Sequence, residues 1–154
     1  MRLWLLRHGE AEAHARSDAE RALTAHGRHE VRQAAQQLMG RPLELILVSP
    51  YLRAQQTAAV VKDLLGFTGM LRTVPWLTPD SAPREVLLEL EHYAVSELLL
   101  VTHQPLVGSL GGWLVHGHRQ QPLAMATASL AALEGEMPAF GAMRLLALTH
   151  PRRD

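Results

Sequence analysis

Arg7-His8-Gly9, Arg53 and His103 are the positions at which this sequence could do chemistry. A guanidinium is a planar fork of donors suited to a tetrahedral oxyanion, and a histidine can serve as nucleophile, acid, base or additional cationic donor. Two of each describe a pocket for a phosphoryl group. Phosphoryl transfer asks mainly for alignment and for positive charge over the equatorial oxygens, which Arg and His⁺ can supply in place of a metal ion. The residues themselves therefore demand no cofactor.

Short apolar runs position all four. Leu3 to Leu6 reads as a buried strand ending at Arg7-His8-Gly9, where Gly9 permits a sharp turn. Leu45 to Val48 is a second such run, closed by Ser49-Pro50, and the helix that follows, from Leu52 to about residue 65, carries Arg53 in its first turns. Leu98 to Val101 is the clearest strand and ends on Thr102-His103. Between the first two strands, Thr24 is a helix N-cap, Val31, Ala34, Ala35 and Leu38 repeat at helical spacing, and Gly40 stops the helix, which the pattern places over 25–39. An edge strand is expected over 71–74, helices opening on Pro83 and Pro105 over 83–93 and 105–115, and closing strands near 124–133 and 143–148. Strands alternating with helices, and apolar enough to be covered on both faces, predict a three-layer α/β/α sandwich with a mostly parallel central sheet. Ligands of such sheets collect at the carboxyl ends of the strands; Arg7, His8 and His103 fall at two such ends, and Arg53 follows a third.

The whole chain narrows the choice further. Its 154 residues suit one domain, 1–154, and 15 Lys+Arg balance 15 Asp+Glu without a block of either sign, so neither a nucleic acid nor a membrane surface is expected as a partner. Cysteine is absent, which excludes disulfides, thiolate zinc sites and every thiol nucleophile. The N-terminal apolar run is too short for a signal peptide and no later one could span a bilayer, so a cytoplasmic monomer is the expectation.

Three ordered motifs carry a resemblance to a known family. Leu5-Leu6-Arg7-His8-Gly9-Glu10 resembles the signature of the histidine phosphatase superfamily, the phosphoglycerate-mutase-like proteins. Ser49-Pro50-Tyr51-Leu52-Arg53-Ala54-Gln55-Gln56-Thr57-Ala58 resembles its second motif and Val101-Thr102-His103-Gln104-Pro105 its third. Within the superfamily, the short length and the segment from Ser17 to Gly27 look most like the SixA phosphohistidine phosphatases, the identifiable motifs covering residues 1 to 110. The resemblance implies a phosphoglycerate-mutase-like fold and no metal or other cofactor. It makes His8 a nucleophile that becomes a covalent phosphohistidine, held among Arg7, Arg53 and His103, with Gly9 and Arg21 as further substrate contacts. The implied substrate is phosphohistidine on a signalling or phosphocarrier protein, such as a phosphotransfer domain or a phosphocarrier.

The alternative is a small-molecule phosphomonoesterase or mutase acting on a sugar or acid phosphate. Expelling an alkoxide calls for a general acid. Some members of the family carry Asp after the third-motif His, whereas here His103 is followed by Gln104; Glu85, Glu89 and Glu91 are the carboxylates left to consider. A non-catalytic phosphohistidine-binding module is disfavoured by the intact nucleophile. His14, His26, His29, His92 and His150 have no motif around them and are expected to be exposed or capping. His116 and His118 could chelate a metal but lack a third ligand nearby. Gly108, Gly111 and Gly112 miss the dinucleotide spacing and fit close helix packing better.

Overall fold

The computed structural model describes residues 1–152. In chain order the elements are β1 (Arg2–Arg7), α1 (Ala25–Gln36), β2 (Leu45–Val48), α2 (Leu52–Leu65), β3 (Met70–Thr73), α3 (Pro83–Leu90), β4 (Glu97–Thr102), α4 (Leu106–His116), β5 (Leu130–Glu134) and β6 (Arg144–Thr149). The strands form one sheet in the order β3-β2-β4-β1-β5-β6. β3, β2, β4 and β1 are mutually parallel, and β5 runs against both β1 and β6. Parallel neighbours need crossovers, which α1, α2 and α3 provide.

Alternation along each strand sends side chains into two cores. Leu3, Leu5, Leu45, Leu47, Leu98 and Leu100 pack beneath α3 and α4. Trp4, Leu6, Ile46, Val48, Leu99 and Val101 pack beneath α1 and α2. The three-layer α/β/α architecture with a mostly parallel sheet is therefore present, and β2 and β4 are buried along their whole length, as their continuous apolar runs require.

Thr24 caps α1 as expected, its hydroxyl accepting from the Gly27 amide at 2.9 Å. Several boundaries differ. α1 ends at Gln36 rather than 39, because the Gln37 amide already turns back to Ala34 in a tighter turn. α3 ends at Leu90 rather than 93, and Pro105 stands just outside α4 as its N-cap. The strand expected near 124–133 shrinks to Leu130–Glu134: Ala128 takes a φ of 55°, which breaks the extended run. The preceding residues instead fold across the site, the Ala128 amide donating to the His8 carbonyl at 2.9 Å.

Close approach explains four glycines. A Cβ on Gly9 would strike the Gly27 carbonyl and Val31, so Gly9 is small because α1 packs on it; its φ is not in the left-handed region, and the sharp-turn reading is corrected. A Cβ at Gly108 or Gly112 would meet the backbone of the 121–123 segment and one at Gly111 the Leu123 side chain, the close packing expected of α4.

Candidate active site

β1, β4 and α2 deliver the four predicted residues to one place. β1 ends at Arg7 and puts His8 on the sheet's carboxyl edge, its amide donating to the Thr102 carbonyl at 3.0 Å. β4 ends one residue before His103, and the two imidazole centroids lie 5.1 Å apart. The first turn of α2 brings Arg53 against His8, with Arg53 Nε 3.3 Å from His8 Nε2. Arg7 reaches the same edge and donates from Nη1 to the Met125 carbonyl at 3.0 Å. His8, Arg53 and His103 are all buried.

The backbone fixes the tautomer of His8. His8 Nδ1 lies 2.7 Å from the Gly9 carbonyl oxygen, which can only accept, so Nδ1 carries the proton and Nε2 keeps its lone pair. Burial first, and then the charges of Arg53, Arg7 and Arg21, push the His8 pKa down to about 4 against the opposing pull of the Gly9 carbonyl. The ring is neutral at pH 7. Gly9 is in turn held by its amide, which donates to Thr57 Oγ1 at 3.2 Å. Both polar groups of Gly9 thus serve to aim His8.

His103 is also neutral in this state. Burial is the main cause, with His8 and Arg53 adding to it, and together they bring its pKa down to about 3. Its Nε2 is 2.7 Å from Ser49 Oγ, and Tyr51 packs edge-on against the ring at 5.0 Å. Nδ1 of His103 and Nε of Arg7 have no hydrogen-bond partner among the described residues. A dianionic group arriving here would add negative charge beside His103 and raise its pKa. A charged ring would then donate from both nitrogens, to Ser49 and to the newcomer.

Asp18 has a part that sequence reasoning missed. Arg53 donates from Nη1 to the Asp18 carbonyl at 2.6 Å and from Nη2 to Asp18 Oδ2 at 3.1 Å. Arg21 donates from Nε to Asp18 Oδ1 at 2.9 Å and from Nη1 to the Glu12 carbonyl at 3.0 Å. Arg21 therefore borders the site through Asp18. Desolvation works to raise the Asp18 pKa, but the hydrogen bonds from Arg53 and Arg21 overcome it and hold the carboxyl ionised. Ser49, Thr57 and Met125 are the other unforeseen supports. Ser49 and Thr57 stood inside a quoted motif, whereas Met125 acts through its backbone and leaves no signal in side-chain chemistry.

Gln104 is fully engaged by the protein: Oε1 accepts from the Gly108 amide at 2.9 Å and Nε2 donates to the Met125 carbonyl at 3.3 Å. Glu85 and Glu91 are exposed and Glu89 is half-buried on α3, and none makes a hydrogen bond to the site. His14, His26, His29, His92, His116, His118 and His150 are all exposed. Among the described residues no group of three His, Cys, Asp or Glu side chains is placed to hold a metal ion, and no helix is long and apolar enough to cross a membrane. A cleft of about 810 Å³ meets the site only through Met125.

A buried neutral histidine with an unprotonated Nε2, ringed by two arginines and a second histidine at the carboxyl end of an α/β sheet, defines a phosphoryl-transfer enzyme. The model of the histidine phosphatase superfamily, branch 1, matches residues 3–76. Phosphohistidine phosphatase SixA of Escherichia coli K12 is 36% identical over 138 residues, spanning 86% of this chain and 84% of the relative. A SixA homolog of Haemophilus influenzae is 34% identical over 145 residues, spanning 86% and 87%. The solved structure of the protein histidine phosphatase SixA complexed with tungstate superposes with a TM-score of 0.88 at 33% identity, covering 98% of this chain and 97% of the other. The chain belongs to the histidine phosphatase superfamily, and it is a phosphatase.

Proposed function

We propose that the chain is a protein phosphohistidine phosphatase, acting as a single-domain cytoplasmic monomer on a phosphotransfer domain or phosphocarrier, with His8 as the transient phosphoryl acceptor. Its relatives named SixA support the substrate class. The observation that carries the reading is a poised nucleophile without a poised acid. His8 Nε2 keeps its lone pair and, among the described residues, accepts only from Arg53 Nε, while Asp18, the carboxylate against Arg53, is held ionised, and the place after His103 holds an amide tied to backbone.

In the first step the Nε2 lone pair of His8 forms a bond to phosphorus, and the bond from phosphorus to the substrate's imidazole nitrogen breaks. The electron pair leaves with that ring. Phosphoimidazole can carry a proton on its other nitrogen, so it departs as neutral imidazole without a proton donor from the enzyme. The positive charge gained by His8 is stabilised at Nδ1–H by the Gly9 carbonyl. Arg53 turns Nε from His8 Nε2 to the phosphoryl oxygens, joined by Arg7 and by His103 in its charged form. In the second step water attacks phosphorus, the bond to His8 Nε2 breaks, its electron pair returns to the ring, and the water proton leaves with phosphate.

A serine or sugar oxygen must be protonated as it leaves, and a missing general acid lowers the rate by about 10² to 10⁴. The test is kcat/KM on phosphohistidine peptides against phosphoserine peptides and sugar phosphates. A preference of at least about 10² for phosphohistidine is expected. Equal efficiency on an ester, reduced by Glu85→Gln or Glu89→Gln, would contradict the reading and place the acid on α3.

A further inference from the structure

Two arginines outside the site face one cavity. Pro83 and Arg84 at the start of α3, Ser109 and Trp113 on α4, and Arg119 beyond it enclose about 340 Å³. The guanidinium carbons of Arg84 and Arg119 stand 6.0 and 4.8 Å from the centre of the Trp113 indole. Trp113 is itself fixed by Phe140, stacked on it at 3.9 Å. Both arginines are exposed, and neither forms an ion pair among the described residues. Two cations without ion-pair partners among the described residues converge on one hollow, with Ser109 in its wall, and form a receptor for carboxylates.

The hollow lies along α4, which runs from the catalytic edge toward the opposite end of the sheet, where the Trp113 carbonyl accepts from the Gly141 amide. Thr102, the residue before His103, donates from its hydroxyl to the Leu77 carbonyl at 2.5 Å, which fastens the segment leading into α3 to the end of β4. α4 starts three residues after His103, and a rise of 1.5 Å per residue puts Trp113 roughly 10 to 15 Å from that histidine. An extended peptide covers that distance in about four residues. A protein partner seated over His8 would reach farther, since half of a standard interface, about 800 Å², is a disc about 16 Å in radius.

We propose that the Arg84–Trp113–Arg119 hollow docks acidic side chains of the substrate protein, those lying some four to seven residues, or the equivalent distance, from its phosphohistidine. The proposal rests on the phosphohistidine reading of His8 and adds to it a rule for choosing among phosphohistidine proteins: an acidic flank is favoured. Each exposed charge pair is worth a small factor, so selection comes from both arginines together and weakens with salt.

The experiment uses three synthetic phosphohistidine peptides that carry Glu, Gln or Lys at four to seven residues from the phosphohistidine, with phosphoramidate as a substrate that has no flank. Wild-type enzyme at low salt is expected to favour the Glu peptide over the Gln peptide by about three- to tenfold, chiefly in KM. Arg84→Gln/Arg119→Gln should erase that preference, and Arg84→Glu/Arg119→Glu should transfer it to the Lys peptide. All variants should hydrolyse phosphoramidate as wild type does. Equal turnover of the three peptides by wild type would overturn the docking proposal alone, as would a loss on phosphoramidate matching the loss on the Glu peptide. Wild-type enzyme that hydrolyses none of the peptides while cleaving esters would overturn the phosphohistidine reading and the docking proposal with it.

Discussion

At the scale of single residues, protonation state decides what each side chain can do. His8 and His103 sit at about 4 and about 3 instead of the ordinary 6.5, mainly because they are buried. Both rings should therefore give the ring-nitrogen NMR shifts of neutral imidazole at about pH 5.5, where an ordinary histidine is mostly charged. The same shift affects stability. Below about 6.5 the unfolded chain takes up protons that the folded rings refuse, so the folded state loses stability as pH falls from there toward about 4. His8→Asn should flatten the fall of Tm over that interval, and rings titrating near 6.5 would contradict the account. The convergence of Arg7, His8, Arg53 and His103 was legible because their types suit an oxyanion and because three stand at strand ends while Arg53 opens the helix after a third strand. The charge of His103 was not, since it depends on burial and on neighbours distant in sequence. Asp18 stood inside the quoted segment from Ser17 to Gly27, but its role was hidden, since no local pattern singles out the one carboxylate there that two arginines share.

Among the elements, the parallel strands do the positioning, and the end of the sheet opposite the site pins them. Glu97, buried at the start of β4, accepts from Arg41 Nε and Nη2 at 2.9 and 2.7 Å and from Trp4 Nε1 at 3.1 Å, linking β4 to β1 and to the segment before β2. Burial pushes its pKa up, but these hydrogen bonds prevail and hold it low. Glu97→Ala should lower stability by about 1 to 3 kcal/mol by leaving the Trp4 donor unpaired, read as a Tm lower by several degrees, with kcat little changed. Because its pKa is depressed, the stabilisation is present above the ordinary carboxyl pKa and fades as pH falls through the folded value, so wild type and variant should converge in acid. Equal Tm values at pH 7 would refute this role. β1, β2 and β4 were readable because continuous apolar runs have few other uses. The 124–129 segment was misread as strand because its composition is apolar while its backbone is bent by Ala128 to engage His8, a tertiary demand without a local pattern.

For the whole molecule, the question is whether one nucleophile carries every turnover. The fold brings two arginines and a second histidine around His8, and the proposed mechanism asks them to hold a phosphoryl group without help from a metal. The most direct measurement is rapid-quench mass spectrometry after mixing the enzyme with phosphoramidate in EDTA, followed by peptide mapping. The account predicts an acid-labile, alkali-stable phosphate on the His8 peptide that forms and decays at rates matching kcat, with neither the adduct nor turnover in a folded His8→Ala variant. Turnover by that variant, a phosphoryl group on another residue, or activity lost in EDTA and restored by a divalent ion would contradict it.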